Sequence, residues 1–250
     1  MKILIIGLDG ATYQIIKPLI AKNKLLFFQK LIQQGAYANL TSTLPINSAA
    51  SWASFFTGKN PGKHNIYDFL SNKYLSSSPQ LIHNKSIKAR RLWDFTNHHS
   101  LKTILFNIPI IAEPEPINGI MVSGILTPRN KPYAYPLTVF EELQRQNYIT
   151  DCGHPRITEP EIYSETLLKT FEKQISIFHQ KIQSHPWDLA VFTSNVLDRA
   201  QKYFWEDTKK IESIYMTIDS YLQTLFESID DETYFIVLSN YGFNLSLIHI

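Results

Sequence analysis

Cysteine, long hydrophobic runs and excess charge are scarce in this chain, and each scarcity excludes a class of protein. The single cysteine, Cys152, can form neither an intramolecular disulfide nor a cysteine-built metal site. No stretch approaches the roughly 18 consecutive apolar residues that indicate a membrane span. The apolar run at residues 3–6 is too short for the core of a signal peptide. These features predict a cytoplasmic protein with no membrane span.

The charge balance argues against a polyanionic partner. The 24 lysines and arginines against 22 acidic residues leave a net charge of +2, so we predict no nucleic-acid partner. With 44% hydrophobic and 18% charged residues, the chain is not expected to be disordered. We find no internal repeat and no linker. We therefore expect a single domain over residues 1–250, with loop or cap insertions around 70–86 and 127–160.

Short apolar segments that end in turn residues alternate with amphipathic helical patterns. The expected strands are residues 3–6, 103–107, 119–123, 189–193 and 233–239, with a further β-prone stretch at 37–43. The expected helices are residues 25–34, 160–184 and 208–229. Gly35 follows the first of these helices, where a positive φ is expected. The alternation predicts an α/β fold with a mainly parallel central sheet flanked by helices.

Polar residues near expected strand ends are candidates for a site, because ligands of parallel α/β sheets bind at the carboxyl ends of the strands. Asp9, Ser48, Asp198 and Asn240 occupy such positions. Asp9 follows a strand on a glycine-flanked turn, so its carboxylate could approach a metal or phosphate, or simply bond its own backbone.

Two nearby residues have both structural and functional interpretations. Ser48 precedes an expected helix and is either its N-cap or a nucleophile beside the positive helix end. His64, taken alone, favours a structural hydrogen-bonding role over metal ligation.

Several motifs occur in the same order as in a known family. They are GLDG (7–10), STLP (42–45) with Ser48, FTG (56–58), PGKH (61–64), KARRLWD (88–94), NIP (107–109), PEPINGIMVSG (114–124), DRAQKYFW (198–205) and VLSNYGF (237–243). On these motifs the chain resembles the type I phosphodiesterase/nucleotide pyrophosphatase family of the alkaline phosphatase superfamily. The resemblance implies an alkaline-phosphatase-like fold and a hydrolase of small phosphate esters or phosphodiesters that uses two zinc ions.

The resemblance also implies roles for three residues. Asp9 falls on the first acidic metal ligand, and Asp198 falls on the aspartate that binds the second metal. Ser48 falls on the nucleophile, which also touches the metal. In such a site two close cations clamp the attacking and leaving oxygens.

Three other ligand positions depart from the family pattern. Lys202 stands where the family has a histidine four residues after the second aspartate. Asn240 and Tyr241 stand where the family has the aspartate and histidine of Asp-His-Gly. An ammonium group has no lone pair for a metal, a carboxamide is a weak substitute for a carboxylate, and a phenol binds well only once deprotonated. Zinc binding by this chain is therefore expected to be impaired.

The end of the chain departs from the family as well. The family's last histidine ligand lies much further downstream, and His249 is too close to Tyr241 to match it. The resemblance therefore predicts that the C-terminal part of the family fold is missing. Residues 244–250, NLSLIHI, form an apolar tail that could extend the sheet or support self-association.

Three hypotheses for function follow. The first is a degenerate phosphodiesterase relative that is catalytically impaired. The second is an active phosphodiesterase that uses Ser48 as nucleophile, with Asp9 and Asp198 on a reduced metal site. The third is a non-catalytic protein that binds a phosphate-bearing ligand. Lys202 is then either a fixed positive charge at the second metal position or a residue on a solvated helix face.

Overall fold

The computed structural model describes residues 1–71, 78–128, 130–153 and 160–243. Its strands are β1 Lys2–Leu8, β2 Leu70–Ser71, β3 Gln80–Leu81, β4 Thr103–Ile108, β5 Gly119–Ser123, β6 Ala134–Tyr135, β7 Leu189–Ser194 and β8 Thr233–Leu238. Its helices are α1 Tyr13–Ala21, α2 Leu26–Gln34, α3 Ser48–Thr57, α4 Pro61–His64, α5 Leu92–His98, α6 Leu137–Arg145, α7 Pro160–Ser184, α8 Val196–Phe204 and α9 Thr208–Glu227. No helix in these ranges combines the length and hydropathy needed to cross a membrane.

Six strands form the central sheet in the order β6-β5-β4-β7-β1-β8. Five neighbouring strands, β5, β4, β7, β1 and β8, run parallel to one another, and β6 pairs antiparallel with β5. The prediction of a mainly parallel α/β sheet is therefore confirmed. Because parallel strands share a direction, the carboxyl ends of β1, β4, β7 and β8 meet at one edge of the sheet.

Both faces of the sheet are covered by apolar packing. Alternate side chains of β1 point to opposite faces, so Leu4 and Ile6 join one apolar cluster while Ile5 joins the other. The second cluster also contains the buried rings of Trp52 and Trp93. Burial on both faces explains why β1, β4, β5 and β7 appear in the sequence as continuous apolar runs rather than alternating ones.

Two local expectations at the end of α2 are wrong. Gly35 has φ −113° and ψ −164°, an extended conformation, because the chain leaves α2 without a left-handed turn. Glycine is favoured there by space instead, since a Cβ would lie 2.8 Å from the Leu31 carbonyl oxygen. The β-prone residues 37–43 form no strand and pair with none of the described strands.

The two expected insertions contain short elements that sequence patterns did not predict. Strands β2 and β3 pair antiparallel within the first insertion, of which residues 72–77 lie outside the described chain. The second insertion supplies β6 and α6, while residues 129 and 154–159 lie outside the described chain. The tail considered for self-association, residues 244–250, also lies outside it.

The N-terminus of α2 is capped by a residue distant in sequence. The buried carboxylate of Asp219, on α9, accepts hydrogen bonds from the backbone N–H groups of Phe27 (3.0 Å) and Phe28 (2.8 Å). We expect Asp219→Ala to lower the free energy of unfolding by about 2 kcal/mol, because two buried donors lose their acceptor. Urea denaturation measures this, with the exposed Ser220→Ala on the same helix as control. Equal stability of the two variants would contradict the capping role.

Candidate active site

The turn after β1 places Asp9 at the carboxyl edge of the sheet. The Asp9 N–H donates to the Ser194 carbonyl at 2.9 Å, and the Gly10 carbonyl accepts from the Gln201 side chain at 2.9 Å. Gly10 has φ +77°, and a Cβ there would lie 3.1 Å from the Asp198 Cα. Glycine is therefore required for its conformation and for the close approach of β1 to α8.

Ser48 is the first residue of α3, and the N-cap of that helix is Asn47. The Asn47 Oδ1 accepts from the Ala50 N–H at 2.9 Å, so the interpretation of Ser48 as the cap is wrong. Because Asn47 caps the helix, the Ser48 hydroxyl is free for another partner. It donates to Asp9 Oδ2 at 2.7 Å.

Asp9 is a buried carboxylate with two donors. Ser48 bonds one oxygen, and the Trp52 Nε1 donates to the other, Oδ1, at 2.6 Å. Burial raises the pKa of Asp9 from 3.8 to about 7, and the negative charge of Asp198 adds to this rise. The hydrogen bonds from Ser48 and Trp52 and the charge of Lys202 oppose it. Asp9 therefore exchanges its proton near neutral pH.

Asp198 lies in the first turn of α8 and also has both oxygens bonded. The Tyr241 hydroxyl donates to Oδ1 at 2.9 Å, and the Lys202 Nζ donates to Oδ2 at 2.7 Å from one helical turn away. Burial raises the pKa of Tyr241 well above its usual value, and the charges of Asp9 and Asp198 raise it further. Tyr241 therefore stays a protonated donor.

Asn240 completes the group of six sequence-predicted positions. Its Nδ2 lies 3.5 Å from the Ser48 Oγ, and its Oδ1 accepts from the Tyr241 N–H at 3.1 Å. The Ser42 hydroxyl donates to the Asn240 carbonyl at 2.9 Å and holds this segment beside α3. All six positions thus meet at one edge of the sheet, although they are spread over most of the sequence.

Asp9, Ser48, Asp198, Lys202 and Tyr241 line a cavity of about 840 Å³ that extends past the ends of β7 and β4. Sequence patterns assigned no site role to several of its other lining residues, which include Phe69, Asn107, Gln174, Asn195 and Arg199. Asn107 and Arg199 do lie within the motifs NIP and DRAQKYFW. The strand-end rule that selected Asp9 would also have selected Asn107 and Asn195, which lie at or beyond the ends of their strands. Gln174 lies on a helix and carries no comparable local signal.

His64 has the structural role expected for it. The ring is buried, its Nδ1 accepts from the Ile66 N–H at 3.1 Å, and Nε2 lies 2.9 Å from the Ser54 Oγ. Burial lowers the pKa of His64 to about 4, so the ring is neutral at physiological pH. Within the described ranges, no three His, Cys, Asp or Glu side chains lie close enough to hold a metal ion.

The solved structures that share this fold include two of phosphonoacetate hydrolase from Sinorhizobium meliloti 1021. The complex with phosphonoformate matches with a TM-score of 0.68, and the complex with phosphonoacetate matches with 0.66. Each is 12% identical and covers 97% of this chain, whereas the chain spans 56% of the length of the hydrolase. The architecture is therefore that of an alkaline-phosphatase-like α/β protein.

The family itself is shown by a match along almost the whole chain. The sequence model of type I phosphodiesterase/nucleotide pyrophosphatase matches residues 3–246, and the chain belongs to this family. No curated protein matches the sequence of this chain. The resemblance inferred from the sequence motifs is thereby confirmed.

Proposed function

We propose that this chain binds small phosphate esters in the cavity at Ser48 and that its hydrolysis of them is impaired. The observation that carries the proposal is the pairing of Asp198 with Lys202 and Tyr241. At the position implied for the second metal, both carboxylate oxygens already bond donors, at 2.7 and 2.9 Å. A cation there would have to displace an ammonium group.

The donor set does not fit a pair of zinc ions. A catalytic zinc takes about three nitrogen, oxygen or sulfur ligands from the protein. Asp9 is hydrogen-bonded at both oxygens. Because its pKa is about 7, a larger fraction of Asp9 is protonated at neutral pH than of an ordinary carboxyl group, and the protonated form is a poor metal ligand. The Asn240 Oδ1 is engaged by the Tyr241 N–H. The described residues thus offer no cluster of three free anionic or imidazole ligands.

The same residues suit an anion. Ser48 begins the ten-residue helix α3, whose first N–H groups and positive end attract negative charge. The Lys202 side chain is 59% exposed and lines the same cavity, so its ammonium group is accessible to a ligand. A phosphate group at Ser48 would lie between a helix end and a fixed positive charge, which favours phosphate-ester binding.

A second candidate, an active phosphodiesterase, is favoured by one contact. The Ser48 hydroxyl donates to Asp9 Oδ2 at 2.7 Å, so this carboxylate is placed to take the proton as the oxygen attacks phosphorus. The P–O bond to one alcohol of the diester breaks, that alcohol leaves with a proton, and water then hydrolyses the phosphoserine. In this candidate Ser48 is the nucleophile, and Asp9 and Asp198 act on a reduced metal site. Turnover distinguishes the two candidates.

The binding test compares two lysine substitutions by calorimetry with inorganic phosphate. We expect Lys202→Met to weaken phosphate binding about tenfold, because it removes the fixed charge from the cavity. Lys209→Met, at an exposed position outside the cavity, is the matched control and should leave binding unchanged. Equal affinities for the two variants would contradict the proposal.

The turnover test measures hydrolysis of bis(4-nitrophenyl) phosphate with added zinc and, separately, with a chelator. We expect the wild-type protein and Ser48→Ala to show the same low background. Turnover by the wild-type protein that disappears in Ser48→Ala would establish the second candidate instead.

A further inference from the structure

Three amide side chains line the part of the cavity beyond Ser48, and in each of them one of the two polar amide atoms is hydrogen-bonded within the protein. They are Asn107 near the carboxyl end of β4, Gln174 on α7 and Asn195 directly after β7. Asn107 and Gln174 are buried, and Asn195 is half-buried. Buried polar groups usually find partners inside the protein, so amides left half-satisfied in a cavity point to a ligand.

Asn107 is the most constrained of the three. Its φ of 60° is in the left-handed region, and its Oδ1 accepts from the Tyr148 hydroxyl. Its carbonyl accepts from the Thr193 hydroxyl at 2.6 Å, and a Cβ at Gly124 would lie 2.5 Å from that carbonyl. The Asn107 Nδ2 is left as a donor with no hydrogen-bond partner among the described residues.

Gln174 and Asn195 are hydrogen-bonded to the protein through the amide nitrogen, whereas Asn107 is bonded through the amide oxygen. The Gln174 Nε2 donates to the Ile149 carbonyl at 2.7 Å, and the Asn195 Nδ2 donates to Asp151 Oδ1 at 3.2 Å. Each contact leaves the side-chain oxygen as an acceptor without a partner in the described chain. The three amides thus offer the cavity one donor and two acceptors.

This part of the cavity carries no net charge. Arg199, its charged lining residue, bonds both oxygens of Asp151 through Nη2 at 2.7 and 2.8 Å, and its Nη1 donates to the Gly153 carbonyl. Its side chain is only 5% exposed, so the guanidinium charge is offset by Asp151 rather than offered to a ligand. The positive charge of Lys202 lies at the other end, beside Asp198.

We infer that this region, the amide subsite formed by Asn107, Gln174 and Asn195, binds the uncharged, hydroxyl-bearing alcohol of the phosphate ester. A hydroxyl group donates and accepts at once and so matches a surface that presents both functions. A sugar or polyol has several such groups. The inference rests on the proposed function, because the phosphate group must occupy the Ser48 end for its alcohol to reach the amides.

Calorimetry with three probes tests the inference: inorganic phosphate, glucose 1-phosphate, and phenyl phosphate, whose alcohol part has no further hydroxyl. We expect glucose 1-phosphate to bind the wild-type protein about tenfold tighter than the other two probes. Asn107→Gly tolerates the left-handed backbone and adds no charge. It should reduce the preference for glucose 1-phosphate about fivefold while leaving the affinity for inorganic phosphate unchanged.

Two further variants complete the design. Asn147→Gly makes the same change at another left-handed asparagine, which is exposed and outside the cavity, and should leave all three affinities unchanged. Gln174→Met removes an acceptor with little change in volume and gives an independent result if Asn107→Gly does not fold.

Distinct outcomes overturn the inference and the proposed function. Phosphate binding without preference for glucose 1-phosphate would overturn the inference alone. An equal loss of all three probes in Asn107→Gly and Gln174→Met would do the same. Absence of binding by every probe, inorganic phosphate included, would overturn the proposed function and the inference with it.

Discussion

Asp9→Asn is expected to be more stable than the wild-type protein above pH 7, by about 4 kcal/mol at pH 8.5. Burial raises the pKa of Asp9 from 3.8 to about 7, so the folded protein holds this proton more tightly than the unfolded chain. The stability from the protonated carboxyl is fully present below about pH 4 and is lost as pH rises through about 7. Asparagine resembles the protonated carboxyl and therefore avoids this loss.

Urea denaturation between pH 4 and 8.5, in the presence of a chelator, measures the difference between the two proteins. We expect the curves to converge near pH 4 and to separate between pH 4 and 8. The exposed Asp231→Asn provides the control for loss of a carboxylate as such. A stability difference that does not change with pH would contradict the raised pKa of Asp9.

Restoring the family's ligands should create a zinc site. We expect the triple variant Lys202→His, Asn240→Asp and Tyr241→His to bind zinc about 100-fold more tightly than the wild-type protein. The substitutions remove the ammonium group and the phenol that now bond Asp198, and they supply two imidazoles and a carboxylate. A histidine at position 202 would lie one helical turn from Asp198, on the same face of α8.

Equilibrium dialysis with zinc measures the effect, with Lys202→Met, Asn240→Ala and Tyr241→Phe as the matched triple variant. This control removes the Lys202 ammonium group, the Asn240 carboxamide and the Tyr241 hydroxyl, as the first triple variant does, but it adds no metal ligand. Equal zinc affinity of the two triple variants would contradict the alignment of Lys202, Asn240 and Tyr241 with the family's ligand positions.

Sequence patterns were informative where the signal is local. The strands β4, β5 and β7 match the expected segments to within one residue, because a strand buried on both faces leaves a continuous apolar run. The edge strand β8 matches as closely, although Tyr234 and Ile236 on one of its faces are exposed. The two-residue strand β6 has no such run and exists because it can pair with the edge of β5. Gly35 fits the sequence pattern of a helix cap, yet its extended backbone follows from where the chain goes next.

The sequence predicted which residues belong to the site, and the tertiary structure determined which hydrogen bonds they make. The motifs spread along the chain, from GLDG (7–10) to VLSNYGF (237–243), identified the family together, since each is a short contiguous stretch. The choice of Asn47 over Ser48 as the helix cap depended on backbone geometry that both residues could have adopted. Asn107 belongs to the NIP motif, but its conformation in the cavity depends on its hydrogen bonds with Tyr148 and Thr193.

The amino-acid sequence by itself determined the α/β class, the family and the six positions that meet in the site. Only the tertiary structure decided that Ser48 bonds Asp9 across 39 residues and that Tyr241 bonds Asp198 across 43. It also decided that Asp9 is buried and has a pKa of about 7. Periodicity and motifs are properties of neighbouring residues. Burial, charge pairing and the half-satisfied amides arise when distant segments pack against each other.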